Sequence, residues 1–140
     1  LTPEELVQLL NEYLTAMCAI ISSHNGTIDK FEGDAIIAFW GAPLELQNHA
    51  STACFATLEM QKRGEELRKM LLEQNRPMLH TRMGLNSGPV VVGNMGSADR
   101  MDYTMMGDVV NLAARLEGAN KFYKTFRFRV YSMIPKNSMK

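Results

Sequence analysis

The stretch Thr27-Ile28-Asp29-Lys30-Phe31-Glu32-Gly33-Asp34-Ala35-Ile36-Ile37-Ala38-Phe39-Trp40 decides the fold. Two short apolar pieces, Thr27 to Phe31 and Ala35 to Trp40, flank Glu32-Gly33-Asp34, a pattern that reads as a β-hairpin with an acidic tip. Upstream, Thr2 as N-cap, Pro3 at the first helical position and Glu5 three residues after the cap make a capping box. Leu6, Leu9, Leu10, Tyr13, Leu14, Met17, Ile20 and Ile21 then recur at helical spacing until His24-Asn25-Gly26, which predicts a helix over 3–23. Downstream, Gly41-Ala42-Pro43 breaks the hairpin, and a second long helix is expected from Asn48 to Gln74, with Ala50, Ala53, Cys54, Thr57, Met60, Leu67 and Leu71 on its apolar stripe.

Past Arg76-Pro77, His80 to Asn86 and Pro89 to Gly93 read as a second strand pair around the turn Ser87-Gly88, followed by a glycine-rich loop over 93–97. Gly107-Asp108 opens a third helix with Val109, Leu112, Ala113 and Leu116 on its apolar side and Gly118 at its end. Phe126 to Tyr131 reads as a strand, and the polar end of the chain has no assignment. The order helix, strand, strand, helix, strand, strand, helix, strand argues for an α+β sandwich with antiparallel hairpins and helices packed on one face of the sheet. The 140 residues, 46% of them apolar, suffice for one core and one domain over 1–140.

Composition narrows the partners. Fifteen basic residues balance fifteen acidic ones, so no broad field draws the chain to nucleic acid or anionic lipid, and any phosphate-binding charge is local. Cys18 and Cys54 fall on expected apolar helix faces and read as small buried hydrophobes in a reduced compartment, not as a disulfide. No unbroken apolar run has the length of a membrane span, so the domain is expected to be cytoplasmic and to make no membrane contact itself. His49 and His80 have no metal-site spacing, and the eleven methionines read as core filler.

Asp34, after Gly33 at the hairpin tip, could hold Mg²⁺, yet taken alone it fits an ordinary turn aspartate better. Lys30 alone reads as a solvated strand lysine. The segment Gly93-Asn94-Met95-Gly96-Ser97 lacks the Lys-Ser/Thr pair of a phosphate loop and the spacing of a dinucleotide fingerprint. Asn111 and Arg115 are one helical turn apart and project together from the third helix, which alone describes a wet helix face.

Their combination says more. Lys30-Phe31-Glu32-Gly33-Asp34, then Arg82-Met83-Gly84-Leu85-Asn86-Ser87-Gly88-Pro89-Val90, then Asp102-Tyr103-Thr104-Met105-Met106-Gly107-Asp108-Val109-Val110-Asn111-Leu112-Ala113-Ala114-Arg115-Leu116-Glu117 closely resemble the class III adenylate and guanylate cyclases, over about residues 1–125. The resemblance is greatest to the bacterial branch in which a threonine replaces the aspartate that contacts adenine, a branch that includes bicarbonate-responsive cyclases. It implies a ferredoxin-like antiparallel sheet and a head-to-tail homodimer with active sites built from both chains. It also implies conversion of ATP to 3′,5′-cyclic AMP and pyrophosphate with two Mg²⁺ or Mn²⁺ ions. Asp34 would be one of two metal-binding aspartates, Lys30 and Thr104 would read adenine, Asn111 would orient the ribose, and Arg115 would stabilise phosphate charge in the transition state. Bicarbonate enters as an implied partner.

The chain departs from that family at both ends. The strand ending in Phe-x-Asp-Ile, which bears the other metal aspartate, does not precede Thr2, and Arg127 to Lys140 does not resemble the family's strand, helix and hairpin with its phosphate-binding lysine. With Leu1 rather than Met at its start, the chain reads as truncated at both ends, with little or no turnover expected of it alone. A non-catalytic nucleotide-binding or dimerisation module is the alternative.

Overall fold

In the computed structural model, the structure describes residues 2–123, 127–129 and 134–135, with the side chains of residues 2–119. Helix α1, Pro3–Ser23, starts as its sequence dictates: Thr2 Oγ1 accepts from the Glu5 N–H at 3.2 Å, and the Glu5 carboxylate accepts from the Thr2 N–H at 2.8 Å. Leu9, Tyr13, Met17, Ile20 and Ile21 bury its stripe. By length and composition alone α1 could cross a membrane, but that stripe is built into the core. The helix gives way at Asn25, whose φ of 60° reverses the chain. Gly26 follows because a Cβ there would lie 2.6 Å from the Ile21 side chain and 2.8 Å from the Trp40 ring. Trp40, fully buried, donates its indole N–H to the His24 carbonyl at 3.0 Å.

Strands β1, Thr27–Glu32, and β2, Ala35–Phe39, form the expected antiparallel hairpin, with Gly33 at φ 61° in the turn. β2 is buried on both faces, and its alternation sorts the core in two. Ile36, Ala38 and the following Trp40 meet α1 and helix α2, His49–Glu73, through Tyr13, Met17, Ala53, Ala56 and Met60. Ile37 and Phe39 face the other way, toward Val90, Val92, Met105 and Ala113. Burial of these side chains at about 25 cal/mol per Å² of apolar surface is the main force holding the elements together.

Strands β3, Arg82–Gly84, and β4, Pro89–Ser97, do not pair with each other as the sequence suggested. β4 pairs antiparallel with β5, Arg100–Met106, and β3 pairs in parallel with β6, Arg127–Arg129. The segment between β3 and β4 is instead held by helix α3, Asp108–Tyr123: Asn86 donates to the Val109 carbonyl at 3.1 Å, and Gly88 abuts the Val109 side chain. The glycine-rich stretch over 93–97 is strand, not loop. Its Gly96, at φ 146°, passes so near the Arg100 carbonyl that a Cβ would fall 2.0 Å from that oxygen, so glycine here serves a tight strand approach.

α3 runs through Gly118 to Tyr123, because one glycine weakens a helix without ending it. Its buried side is Ala113 and Glu117, while Leu112 and Leu116, expected inside, are each 43% exposed. Cys54 is exposed and Cys18 half-buried, both as free thiols, so Cys54 is not the buried hydrophobe expected. β6 lies within the strand expected from Phe126 to Tyr131. The residues flanking it and the polar end lie outside the described residues, apart from β7, Ile134–Pro135, which pairs in parallel with Pro89 and Val90 of β4.

Tyr13 ties α1 to the segment before β3 through its hydroxyl, 3.0 Å from Thr81 Oγ1. Burial pushes its pKa above the ordinary 10.0, the Thr81 bond opposes this, and the Asp34 charge adds to it. A folded-state pKa above the unfolded one means that this stabilisation is intact below about pH 10 and is lost as pH rises further. Tyr13→Phe is therefore expected to cost about 1 kcal/mol near neutrality and to flatten the alkaline loss, read from urea midpoints on either side of about pH 10.

Candidate functional site

The hairpin places Lys30 on β1 and Asp34 just past its tip, both exposed. β1 is not regular. Ile28 pairs with Ala38 and Lys30 with Ile37, so Asp29 is an extra residue in a bulge. A bulge redirects a side chain, and here the Asp29 carboxylate accepts a 2.7 Å hydrogen bond from the Thr104 hydroxyl of β5. That bond joins the hairpin bearing Lys30 to the hairpin bearing Thr104. Across β4 and β5, Thr104 pairs with Gly93, and among the described residues outside its chain neighbours no atom lies within 4 Å of the position a Cβ on Gly93 would take, so no side chain opposes Thr104 there.

Asp34 lines a cavity of about 180 Å³ with Glu32, Tyr13, Thr81, His80 and Arg82. In its wall Arg82 Nε pairs with the buried Glu117 carboxylate at 2.8 Å, which couples β3 to α3. Asp34 and Glu32 offer the oxygen donors that a hard divalent cation takes. Among the described residues no group of three or more His, Cys, Asp or Glu side chains is placed to hold a metal. Two carboxylates are donors of the kind that Mg²⁺ or Mn²⁺ takes, and they are fewer than a full coordination shell.

Asn111 and Arg115 stand on the exposed side of α3, in one stripe with the exposed Leu112 and Leu116. They lie outside the cavity that Asp34 lines. Within one chain, Asp34 lines a cavity that Asn111 and Arg115 do not line, Lys30 and Thr104 stand on hairpins bridged by Asp29, and Asn111 and Arg115 stand on the exposed side of α3. A face carrying two leucines beside an asparagine and an arginine is suited to meeting another surface. Asp29 is the residue that sequence reading missed. Its only local signal is a carboxylate inside an apolar strand beside Lys30, and a bulge has no sequence period to reveal it.

Residues 1–124 match the adenylate and guanylate cyclase catalytic domain, and the chain belongs to that family. Adenylate cyclase 1 of Rhizobium meliloti (strain 1021) is 41% identical over 124 residues, covering 89% of this chain and 19% of the relative. Among solved structures, the guanylyl cyclase Cya2 superposes with a TM-score of 0.73 at 36% identity, over 84% of this chain and 60% of that one. The adenylyl cyclase CyaB from P. aeruginosa gives a TM-score of 0.72 at 37% identity, over 85% of this chain and 62% of that one. The chain thus spans about a fifth of the length of the curated relative and about three-fifths of the solved domains. Similar scores for an adenylyl and a guanylyl cyclase mean that the likeness of fold does not choose between the two.

Proposed function

We propose that this chain is the catalytic-domain portion of an adenylate cyclase, forming 3′,5′-cyclic AMP and pyrophosphate from ATP at a homodimer interface in the cytoplasm. The observation that carries this reading is the bond from the Thr104 hydroxyl to Asp29, the residue next to Lys30, which joins the two hairpins that bear Lys30 and Thr104. A lysine ammonium donates to the N1 acceptor of adenine, and a threonine hydroxyl can accept from its exocyclic amine. In the reaction the ribose 3′-oxygen gives its proton to solvent water and bonds to the α-phosphorus, the bond from that phosphorus to the bridging oxygen breaks, and pyrophosphate leaves with the electron pair. Asn111 orients the ribose. Arg115, planar and permanently charged, stabilises the charge that builds on the phosphate oxygens. Asp34, with Glu32 nearby, would hold divalent metal, which when bound lowers the cost of the 3′-alkoxide and of the triphosphate charge.

The separation of Asp34 from Asn111 and Arg115 within one chain supports sites assembled from two chains, and so does the exposed Leu112 and Leu116 face. The test is cyclic AMP formation from ATP with Mn²⁺, comparing this chain with one extended at both ends, and with bicarbonate added in a parallel series. Product only from the extended form supports the reading. Nucleotide binding with no product from either would favour a non-catalytic module. Lys30→Glu replaces a donor with an acceptor opposite N1, which in guanine carries a proton, so the preference is expected to move toward GTP by about tenfold or more. An unchanged ATP-to-GTP ratio of initial rates would remove Lys30 from base recognition.

A further inference from the structure

A hydroxyl is an ambiguous reader of a purine, because it can accept from the 6-amino group of adenine or donate to the 6-oxo group of guanine. In this structure the ambiguity is removed. Thr104 Oγ1 has one proton, and it is directed to Asp29 Oδ2 at 2.7 Å in a partly buried setting. An ionised carboxylate only accepts, so the bond runs in one direction, and what remains on Oγ1 is lone pairs. Gly93, directly opposite in the register, places no side chain beside Thr104, and no atom of the described residues beyond its chain neighbours lies within 4 Å of its Cβ position. The bulge at Asp29 breaks the β1 register between Ile28 and Lys30, where the Asp29 carboxylate meets Thr104.

We infer that Asp29 is a specificity-determining positioning residue, which holds the Thr104 hydroxyl as a pure hydrogen-bond acceptor and so makes the site select a 6-amino purine over a 6-oxo purine. The inference rests on the reading of Thr104 as a base contact. Asp29 itself need not touch nucleotide. Without it the hydroxyl rotates, donates to a 6-oxo group as readily as it accepts from a 6-amino group, and discrimination falls.

The experiment is a double-mutant cycle on the chain extended at both ends, read as displacement of a fluorescent ATP analogue by ATP and by GTP in the presence of Ca²⁺, with thermal melting of each variant alongside. Asp29→Ala is expected to lower the ATP-over-GTP preference about five- to tenfold, the worth of one hydrogen bond. Thr104→Val should lower it similarly, and Asp29→Ala added to Thr104→Val should lower it no further. Asp29→Asn, which keeps the shape and an acceptor oxygen, should retain most of the preference. A merely structural bridge between the hairpins would weaken both nucleotides equally and leave the ratio alone, which overturns the inference. So would an Asp29→Ala effect on the ratio that persists undiminished with Thr104→Val. A Thr104→Val protein with unchanged preference instead sinks the reading of Thr104 as a base contact.

Discussion

Gly84→Ala is expected to destabilise the domain by about 3 kcal/mol, the upper end of what overpacking costs, and to lower its melting temperature by roughly 10 °C. Gly84 ends β3 where α3 crosses it, and an added Cβ would lie 2.4 Å from the Ala113 carbonyl oxygen and 2.6 Å from the Glu117 nitrogen. Both are helix backbone atoms, which cannot rotate aside as a side chain would. The methyl group can be accommodated only by lifting α3 from β3. That would also disturb the 2.8 Å pair between Arg82 and buried Glu117 and the burial of Ala113. Gly118→Ala on the same helix is the internal control: among the described residues, apart from its own helix backbone and chain neighbours, no atom lies within 4 Å of its Cβ position, so the helix should gain about 0.5 to 1 kcal/mol. Thermal or urea unfolding of the two variants should move in opposite directions. A Gly84→Ala protein as stable as the parent would mean that β3 and α3 do not pack this closely.

Arg115→Ala is expected to lower cyclic AMP formation on the order of 10²- to 10³-fold, as loss of a transition-state charge partner does. Because Arg115 is exposed on α3, stability should stay within about 0.5 kcal/mol of the parent. Arg115→Lys should rescue little, since a point charge cannot reproduce the planar fork. The arrangement of Asp34 and Arg115 permits a stronger test. If each site takes Asp34 from one copy and Arg115 from the other, mixing Arg115→Ala chains with Asp34→Ala chains restores activity, although each alone has lost it. The recovered rate should be about a quarter of the parent rate, because half of randomly assorted dimers are mixed and each holds one intact site. Steady-state cyclic AMP production in the extended form reads this directly. No recovery on mixing would mean that both residues serve the same site from one chain.

Local sequence was sufficient wherever local physics decides. The Thr2 and Glu5 capping box, the stripe from Leu9 to Ile21 and the turn at Gly33 each act within a few residues, and each stands where it was expected. The candidate side chains were legible for another reason: Lys30, Asp34, Thr104, Asn111 and Arg115 occur together in motifs whose order identifies the family. Chain pairing was not legible. His80 to Asn86 and Pro89 to Gly93 look like partners because they adjoin in sequence, but β4 finds β5 and β3 finds β6. The glycines of 93–97 suggested a loop because glycine permits many conformations, and only the closeness of Gly96 to Arg100 shows which one was needed.

By itself, then, the sequence determined the helices, the acidic-tipped hairpin and the residue types that could handle a nucleotide, because periodicity, caps and turns are short-range effects. Tertiary structure alone decided that β2 is buried on both faces, that Leu112 and Leu116 face outward, and that Asp29 holds the Thr104 hydroxyl. Those outcomes depend on which surfaces meet. A hydrogen bond between residues 75 positions apart exists only after the hairpins that carry them have docked, and nothing local in either strand encodes that meeting.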